Sequence, residues 1–324
     1  MSDELSELKD LCDNASEPPV NPENIGMLRV VTANQWREEA ASRPDPTPLW
    51  DEVWNEGEVC CLFADSNLGK SILAVQIAAE IAQRQKVVYF DFELSDKQFQ
   101  LRYTDDYGNG YKFPDNLLRA EIDPDNLSST NFEVAVMQDI EESAKANKAN
   151  VLIIDNLTWL CNSSEKGDSA GELMKALMAL KKRHGWSVLV IAHTPKRSLV
   201  SPITQNDLAG SKKLFNFFDS VFALGQSATD PSLRYIKQVK VRNGSFKYDS
   251  DNVLTCEIIK ENGFTHFVMK GTATEKAHLK ELNEKEAASQ AEQAKQLKAQ
   301  GKTQRQIADL LGTSLGKVNY LLKS

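Results

Sequence analysis

The chain lacks any apolar run near the ~20 residues that cross a bilayer. Its acidic, polar opening (Met1 to Glu17) also lacks the basic and then apolar order of a secretory leader. A cytoplasmic protein with no membrane partner is therefore expected. The 5 cysteines show no metal-ligand spacing, so no structural metal is expected, and reduced, buried thiols account for them. Cys60 and Cys61, adjacent in an apolar run, would face opposite sides of a strand. Positive charge is in deficit: 38 Lys and Arg against 46 Asp and Glu leave a net −8. That balance argues against coating nucleic acid over the whole surface, though not against a local basic patch. Internal repeats are missing, as is any nuclease, primase or metal-ribbon segment. With 41% hydrophobic and 26% charged residues in 324, the composition is that of a globular chain of about two domains.

What is present begins with Ala64-Asp65-Ser66-Asn67-Leu68-Gly69-Lys70-Ser71, between the apolar run Val59 to Phe63 and the amphipathic run Ile72 to Ala82. This reads as a phosphate-binding loop joining a strand to a helix. In such a loop backbone N–H groups cradle phosphates, the lysine reaches the β- and γ-phosphates, and the serine hydroxyl binds Mg²⁺. The helix N-terminus adds partial positive charge. One position departs from G-x-x-x-x-G-K-[ST]: Ala64 stands where Gly is usual, and Ala adopts positive φ less freely. The bland alternative, a chance Gly-Lys-Ser at a helix start, fits the flanking pattern poorly.

Further along, apolar and helical segments alternate as in a parallel α/β domain. Strands are expected at Leu28 to Val31, Lys86 to Phe92, Leu118 to Ile122, Val151 to Asp155, Ser187 to His193 and Ser220 to Leu224. Helices are expected at Thr32 to Ala41, Ser95 to Tyr103, Asn131 to Ala146, Ala170 to Arg183 and Leu208 to Phe218. Tyr235 to Val241, Leu254 to Lys260 and Phe264 to Lys270 follow closely enough to pair antiparallel. Val151 to Asp155 reads as a Walker B strand whose terminal acid holds Mg²⁺ opposite Ser71; a strand that merely ends in Asp is the alternative. Asn156, not Glu, comes next, so a water-activating base must come from elsewhere. Glu93, ending a strand expected to lie beside the P-loop strand, is the candidate; an acid at a helix N-cap is an equally open reading.

Asp91-Phe92-Glu93-Leu94-Ser95, with Gln98 and Arg102 following, resembles the segment after the P-loop helix of RecA-like ATPases, leaning toward replicative hexameric helicases and plasmid RepA-type helicases. Those helicases also accept Ala at the first P-loop position. The resemblance spans roughly residues 28 to 270 and implies a RecA-like α/β fold, a mostly parallel sheet flanked by helices. It implies ATP and Mg²⁺ as cofactors, a homo-oligomer (a hexameric ring), and Glu93 as catalytic base. Val188 to Lys196 looks like the strand whose terminal polar residue senses the γ-phosphate, here His193; a histidine at a strand end is otherwise usually structural. Lys240-Val241-Arg242-Asn243-Gly244 is similar to the Lys-x-Arg-Asn-Gly element whose two cations reach a neighbouring subunit's ATP site. Lys and Arg two apart on a strand share a face, although Asn-Gly is also a hairpin-turn signal. In RecA-like motors the loop after the sensor strand touches nucleic acid, and Lys196, Arg197, Lys212 and Lys213 supply charge for it. An ordinary surface loop is the alternative, and no aromatic between Arg197 and Lys213 offers a stacking platform.

Composition divides the chain into a disordered tail (1–27), the ATPase domain (28–272), a charged helical linker (273–292) and a small all-α module (293–324). Glu275 to Gln300 reads as exposed helix or linker, not core. Lys302 to Ser324 looks like a helix-turn-helix similar to recombinase-type and sigma-type DNA-binding modules. Thr303 caps a first helix with Ile307, Leu310 and Leu311 on its apolar face, and Gly312 makes the turn. Ser314 caps a second helix with Val318, Leu321 and Leu322 inward. Residues 293–324 carry a net +5, and exposed Leu315, Lys317, Asn319 and Tyr320 would face a major groove. A helical hairpin for partner contact is the alternative. An oligomeric Mg²⁺-dependent ATPase acting on DNA is thus expected, with a DNA-tethered nucleotide switch or helicase loader as the other reading. A small-molecule P-loop kinase is disfavoured, since nothing resembles its lid.

Overall fold

The computed structural model describes residues 24–25, 28–123, 125, 132–157, 169–194, 197–208, 212–242, 244–280, 284–311, 313 and 315–323. Two compact units divide between Pro46 and Thr47. In the first, β1 (Asn24–Ile25) and β2 (Leu28–Arg29) pair antiparallel, and α1 (Ala33–Ala41) is capped by the Thr32 side chain. Arg29 grips Glu39 through both guanidinium nitrogens, at 2.9 and 2.8 Å, and lies over the Trp36 ring. The strand expected through Val31 stops at Arg29.

The second unit opens with a hairpin of β3 (Pro48–Trp50) and β4 (Trp54–Asn55), then builds one nine-stranded sheet. Six of its strands are parallel, in the order β10 (Ser220–Gln226), β5 (Val59–Ala64), β9 (Ser187–His193), β8 (Val151–Asp155), β6 (Val87–Asp91), β7 (Leu117–Ala120). The strand ending before Glu93, expected beside the P-loop strand, is instead separated from it by β9 and β8, because the crossover from β5 passes the two positions that later strands fill. Their central members are continuous apolar runs because both faces are covered. Val59, Cys61 and Phe63 pack with α4 (Phe132–Asn147), α5 (Ser169–His184) and α6 (Lys212–Phe217). Cys60, Leu62 and Ala64 pack on the other face with α2 (Lys70–Ala82) and the Trp50–Trp54 hairpin. Burial pushes both thiols up, so they stay protonated.

Beyond β10 the sheet turns antiparallel through β11 (Leu233–Val241), β12 (Val253–Glu261) and β13 (Phe264–Ala273). Asn262 and Gly263, at φ 49° and 79°, make the two-residue turn that joins the last two strands. α3 (Asp96–Arg102) follows β6 as expected; of the helix expected over Leu208 to Phe218, Lys212–Phe217 is helical, Leu208 lies in a bend, and 209–211 lie outside the described residues.

One boundary differs from the composition. Glu275 to His278 forms a 3-10 turn in which Glu275 is only 1% exposed. Its carboxylate accepts from Ile203 N (2.6 Å) and Lys237 Nζ (2.5 Å). The acid reads as linker because its partner, Lys237, lies far away in sequence on a buried strand. α7 (Glu284–Ala299) then packs against α8 (Gln304–Leu311) and α9 (Leu315–Lys323). Their own small core holds Ala294, Ile307, Ala308, Val318 and Leu321. Leu310, expected on the apolar face, is 62% exposed, because two helices meeting at Ile307 and Ala308 cover a narrower stripe than the sequence suggests.

Candidate nucleotide site

β5 ends at Ala64, paired with His193 on one side and Leu224 on the other. The left-handed positions of the loop are Asn67 (φ 64°) and Gly69 (φ 97°); Ala64 is not among the residues with positive φ. The departure at Ala64 therefore costs no backbone strain, because that position ends a strand. Gly69 is required twice over: its φ suits glycine, and a Cβ there would lie 2.8 Å from Ile258 Cδ1 and 3.0 Å from Phe267 Cζ. Gly69 caps α2 with no side-chain hydrogen bond, leaving first-turn N–H groups to an anion.

A cleft of about 300 Å³ opens at this point, lined by Asn67, Lys70, Ser71, Glu93, Arg102 and His193 among others. Lys70 is buried and donates to the carbonyls of Ala64 and Asp65, both at 3.0 Å. Burial lowers its pKa, and Glu93, Asp155 and Asp65 oppose the shift. Asp155, 0% exposed, accepts from the Tyr89 hydroxyl through Oδ2 at 2.6 Å. Its Oδ1 is buried with no hydrogen-bond partner among the described residues. Desolvation pushes this carboxyl up to about 6, with the Ser71 and Tyr89 hydroxyls pulling it back. An orphaned carboxylate oxygen beside a P-loop serine is the donor set a hard cation takes, so these residues fit Mg²⁺.

Glu93 follows β6 on a turn whose backbone is pinned from behind. Asp91 Oδ1 accepts from Glu93 N (3.2 Å) and Leu94 N (2.9 Å), while its Oδ2 takes Arg119 Nε at 2.9 Å. The N-cap of α3 is Ser95, in a capping box with Gln98, so Glu93 is not the helix cap. β8 is followed by a cis peptide to Asn156, whose Nδ2 lies 2.9 Å from Glu93 Oε2 and 3.1 Å from His193 Nε2. Burial and the Lys70 charge lower the His193 pKa against the pull of Glu93. Lys70, Ser71, Glu93, Asp155 and His193 thus converge at the carboxyl edge of β5, β6, β8 and β9.

Lys240 and Arg242 lie elsewhere. Lys240 pairs with Val221, which lies beside Cys61, so this end of β11 sits at the amino edge of the parallel strands. Arg242 Nη1 reaches Asp219 Oδ1 at 2.6 Å, and Lys240 Nζ donates to Phe215 O at 3.1 Å. The two cations do share one side of the strand, as their spacing requires.

Among the candidate nucleic-acid contacts, Arg197 is folded into its own loop, donating to Ser201 O and pairing with Asp207 at 3.5 Å. Leu315, Asn319 and Tyr320 are exposed on α9. Lys196, Gly312 and Ser314 lie outside the described residues, as do the side chains of Lys212, Lys213 and Lys317. Thr303 caps α8, exchanging hydrogen bonds with Gln306 at 3.0 and 3.3 Å.

Some cleft residues carry no sequence signal of their own. Thr194 Oγ1 donates to Asp65 Oδ1 at 2.5 Å, stitching the end of β9 to the P-loop. Arg102 enters the cleft from α3, and Tyr89 and Asn156 act through Asp155 and Glu93. Arg102, Asn156 and Thr194 stand within or beside the motifs, but nothing in the sequence says that they meet at the cleft.

A family model described as AAA domain matches residues 27–198. The DNA repair protein RadA of Pseudomonas aeruginosa is 22% identical over 59% of this chain and 38% of its own length. Its counterpart in Listeria monocytogenes is 23% identical over 58% of this chain and 37% of its own. The chain therefore spans less than two fifths of these curated relatives. A crystal structure of a KaiC-like protein from the hyperthermophilic archaeon Pyrococcus horikoshii has a TM-score of 0.49 and 14% identity, covering 68% of this chain and 95% of that one. Among the described residues no helix is long and apolar enough to cross a membrane. With just over half of its residues matched, and with a P-loop at the carboxyl edge of a parallel sheet, this chain belongs to the AAA domain family of RecA-like P-loop ATPases.

Proposed function

We propose that this chain is an oligomeric, Mg²⁺-dependent ATP hydrolase of the helicase or translocase kind, working on DNA as a hexameric ring. Its resemblance to plasmid RepA-type helicases gives plasmid or mobile-element replication or transfer as the setting. The observation that carries the reading is the division of charged motifs between the two edges of one sheet. Lys70, Ser71, Asp155, Glu93 and His193 surround the cleft, while Lys240 and Arg242 stand at the other end of strands about 20 Å long (~3.3 Å per residue). Cations placed there cannot serve their own cleft; they suit a neighbour's, which requires an oligomer.

Within the cleft, the P-loop N–H groups and Lys70 hold the β- and γ-phosphates. Held by Ser71 and Asp155, Mg²⁺ would neutralise phosphate charge. Glu93 accepts a proton from water as its oxygen bonds to the γ-phosphorus, and the bond to the bridging oxygen breaks to release ADP. His193 reports on the γ-phosphate. DNA is supported by the RadA relatives, described as DNA repair proteins, and by the basic α7–α9 module with Leu315, Lys317, Asn319 and Tyr320 on its outer helix. Lys196, Lys212 and Lys213 would add contacts from the loop after β9.

A second reading has its own observation. Arg197 is held inside its loop, and Ile203 is tied to Glu275, so this loop is braced rather than offered. That favours a nucleotide switch or helicase loader tethered to DNA by its C-terminal module. Steady-state ATP hydrolysis with and without single- and double-stranded DNA, beside a strand-displacement assay, separates the two. Turnover rising several-fold on DNA, with displacement, supports the motor; slow turnover indifferent to DNA supports the switch. A Glu93→Gln variant that keeps its full rate would refute the assignment of the base.

A further inference from the structure

Asn156 stands where its strand order gives it unusual reach. β8 lies between β6 and β9, so the residue just past its end is flanked by Glu93 on one side and His193 on the other. Its Nδ2 is 2.9 Å from Glu93 Oε2 and 3.1 Å from His193 Nε2. An ionised carboxylate only accepts hydrogen bonds, so the amide nitrogen, not the oxygen, must face Glu93. The second N–H of the same group then points to His193 Nε2, which accepts it in the tautomer with the ring proton on Nδ1, an atom that is buried with no hydrogen-bond partner among the described residues. One amide therefore sets the carboxylate direction and the imidazole tautomer together. Glu93 itself is exposed, and its backbone restraints come through Asp91; of the hydrogen bonds in the described residues, the one from Asn156 holds its carboxylate.

We propose that Asn156 is a positioning residue for hydrolysis, a bridge that aims the Glu93 carboxylate into the cleft and locks it to His193. This rests on the reading of the cleft as hydrolytic. The coupling has a directional consequence: a shift of His193 when the γ-phosphate arrives or leaves is passed to Glu93 through a single amide, so sensing and base placement change as one event.

The test uses the full chain with Asn156→Leu, similar in size but without donors, and Asn156→Asp, which keeps the shape and loses the N–H. Each is made alone and on a Glu93→Gln background. Single-turnover and steady-state hydrolysis are read with Mg²⁺, beside the Kd of a fluorescent ATP analogue. The expected result is a fall in kcat of about 10²-fold, the scale of a misplaced reacting group, with KM and Kd within about threefold. On the Glu93→Gln background the Asn156 change should cost almost nothing further, since a residue acting through Glu93 has nothing left to position. Unchanged kcat, a KM or Kd that worsens in step with kcat, or losses that multiply in the double variant would each overturn the proposal. Should Asn156→Leu fail to fold, the near-isosteric Asn156→Asp carries the same comparison. If Glu93→Gln alone hydrolyses ATP at the wild-type rate, the hydrolytic reading is what fails. If Glu93→Gln is inactive while the Asn156 variants are not, this inference fails alone.

Discussion

Asp155 and Asp219 are both buried acids, 0% and 6% exposed, at opposite edges of the same parallel sheet. Asp219 is fully engaged: Val59 N donates to it at 2.9 Å, Lys181 lies 3.2 Å away and Arg242 2.6 Å away. Asp155 has the Tyr89 hydroxyl on Oδ2, while its buried Oδ1 has no hydrogen-bond partner among the described residues and the Ser71 hydroxyl also acts on the carboxyl. Burial without compensation raises the pKa of a carboxyl and lowers stability while it is charged. Completed hydrogen bonds and ion pairs offset the cost of burying the charge. The amino edge is finished by the chain itself, and the carboxyl edge is left for something else to finish. That contrast locates a ligand more directly than the concavity of the cleft does.

The comparison can be broken at four depths. The largest effect is expected from Arg242→Ala. If Arg242 serves a neighbour's cleft, turnover should drop by ~10³-fold or more, and mixing with a Lys70→Ala chain should restore part of it, as measured by hydrolysis at fixed total protein. Loss without complementation would leave Arg242 as a strut for Asp219.

Next is Asp155→Asn, for which the sign is the point. Its folded pKa of about 6 exceeds the ordinary 3.8. The stability this group contributes is therefore whole below pH 3.8 and lost as pH rises through about 6. Removing the charge should stabilise the nucleotide-free, metal-free protein by about 3 kcal/mol at pH 7.5, while hydrolysis is lost. Urea unfolding in chelator checks it, and the gain should vanish toward pH 4.

Asp219→Asn should move the other way and lose about 2 kcal/mol, because Lys181 and the Val59 N–H would keep a poorer partner. The same urea series at pH 7.5 decides this; a stabilised Asp219→Asn protein would erase the distinction between the edges. The smallest effect belongs to Lys247→Met. Lys247 pairs with Asp51 at 2.7 Å, but both side chains are over a third exposed. Screening limits such a pair to under ~1 kcal/mol, and thermal unfolding should barely register its loss.

How much of this was legible in the sequence follows from the range of the forces involved. Val59 to Ala64, Val151 to Asp155 and Ser187 to His193 announce themselves because a strand buried on both faces must be apolar throughout. Where such a strand stops, its first polar residue lands at the sheet edge, which is why Asp155 and His193 can be read from one line of text. The neighbour order of β9, β8 and β6 is written nowhere locally, and without it Asn156 looks like a missing glutamate. Ala64 shows the opposite error: a pattern mismatch suggested strain where the backbone has none. Leu310 and Glu275 were misread because composition reports how polar a segment is on average, not which of its side chains meets a partner.

Glu275 has a practical consequence for anyone dividing this protein. The counter-ion of Lys237 lies after β13, where composition already looks like linker. A fragment ending at residue 272 would keep a buried lysine ammonium with its carboxylate cut away, and would free the Ile203 N–H and the Leu199 carbonyl that Lys280 N covers at 2.9 Å. Such a fragment would carry every ATPase motif and still lack the acid that its own Lys237 pairs with. The contacts that close this end of the sheet run through Lys280, so deletion series and domain swaps should be cut beyond it.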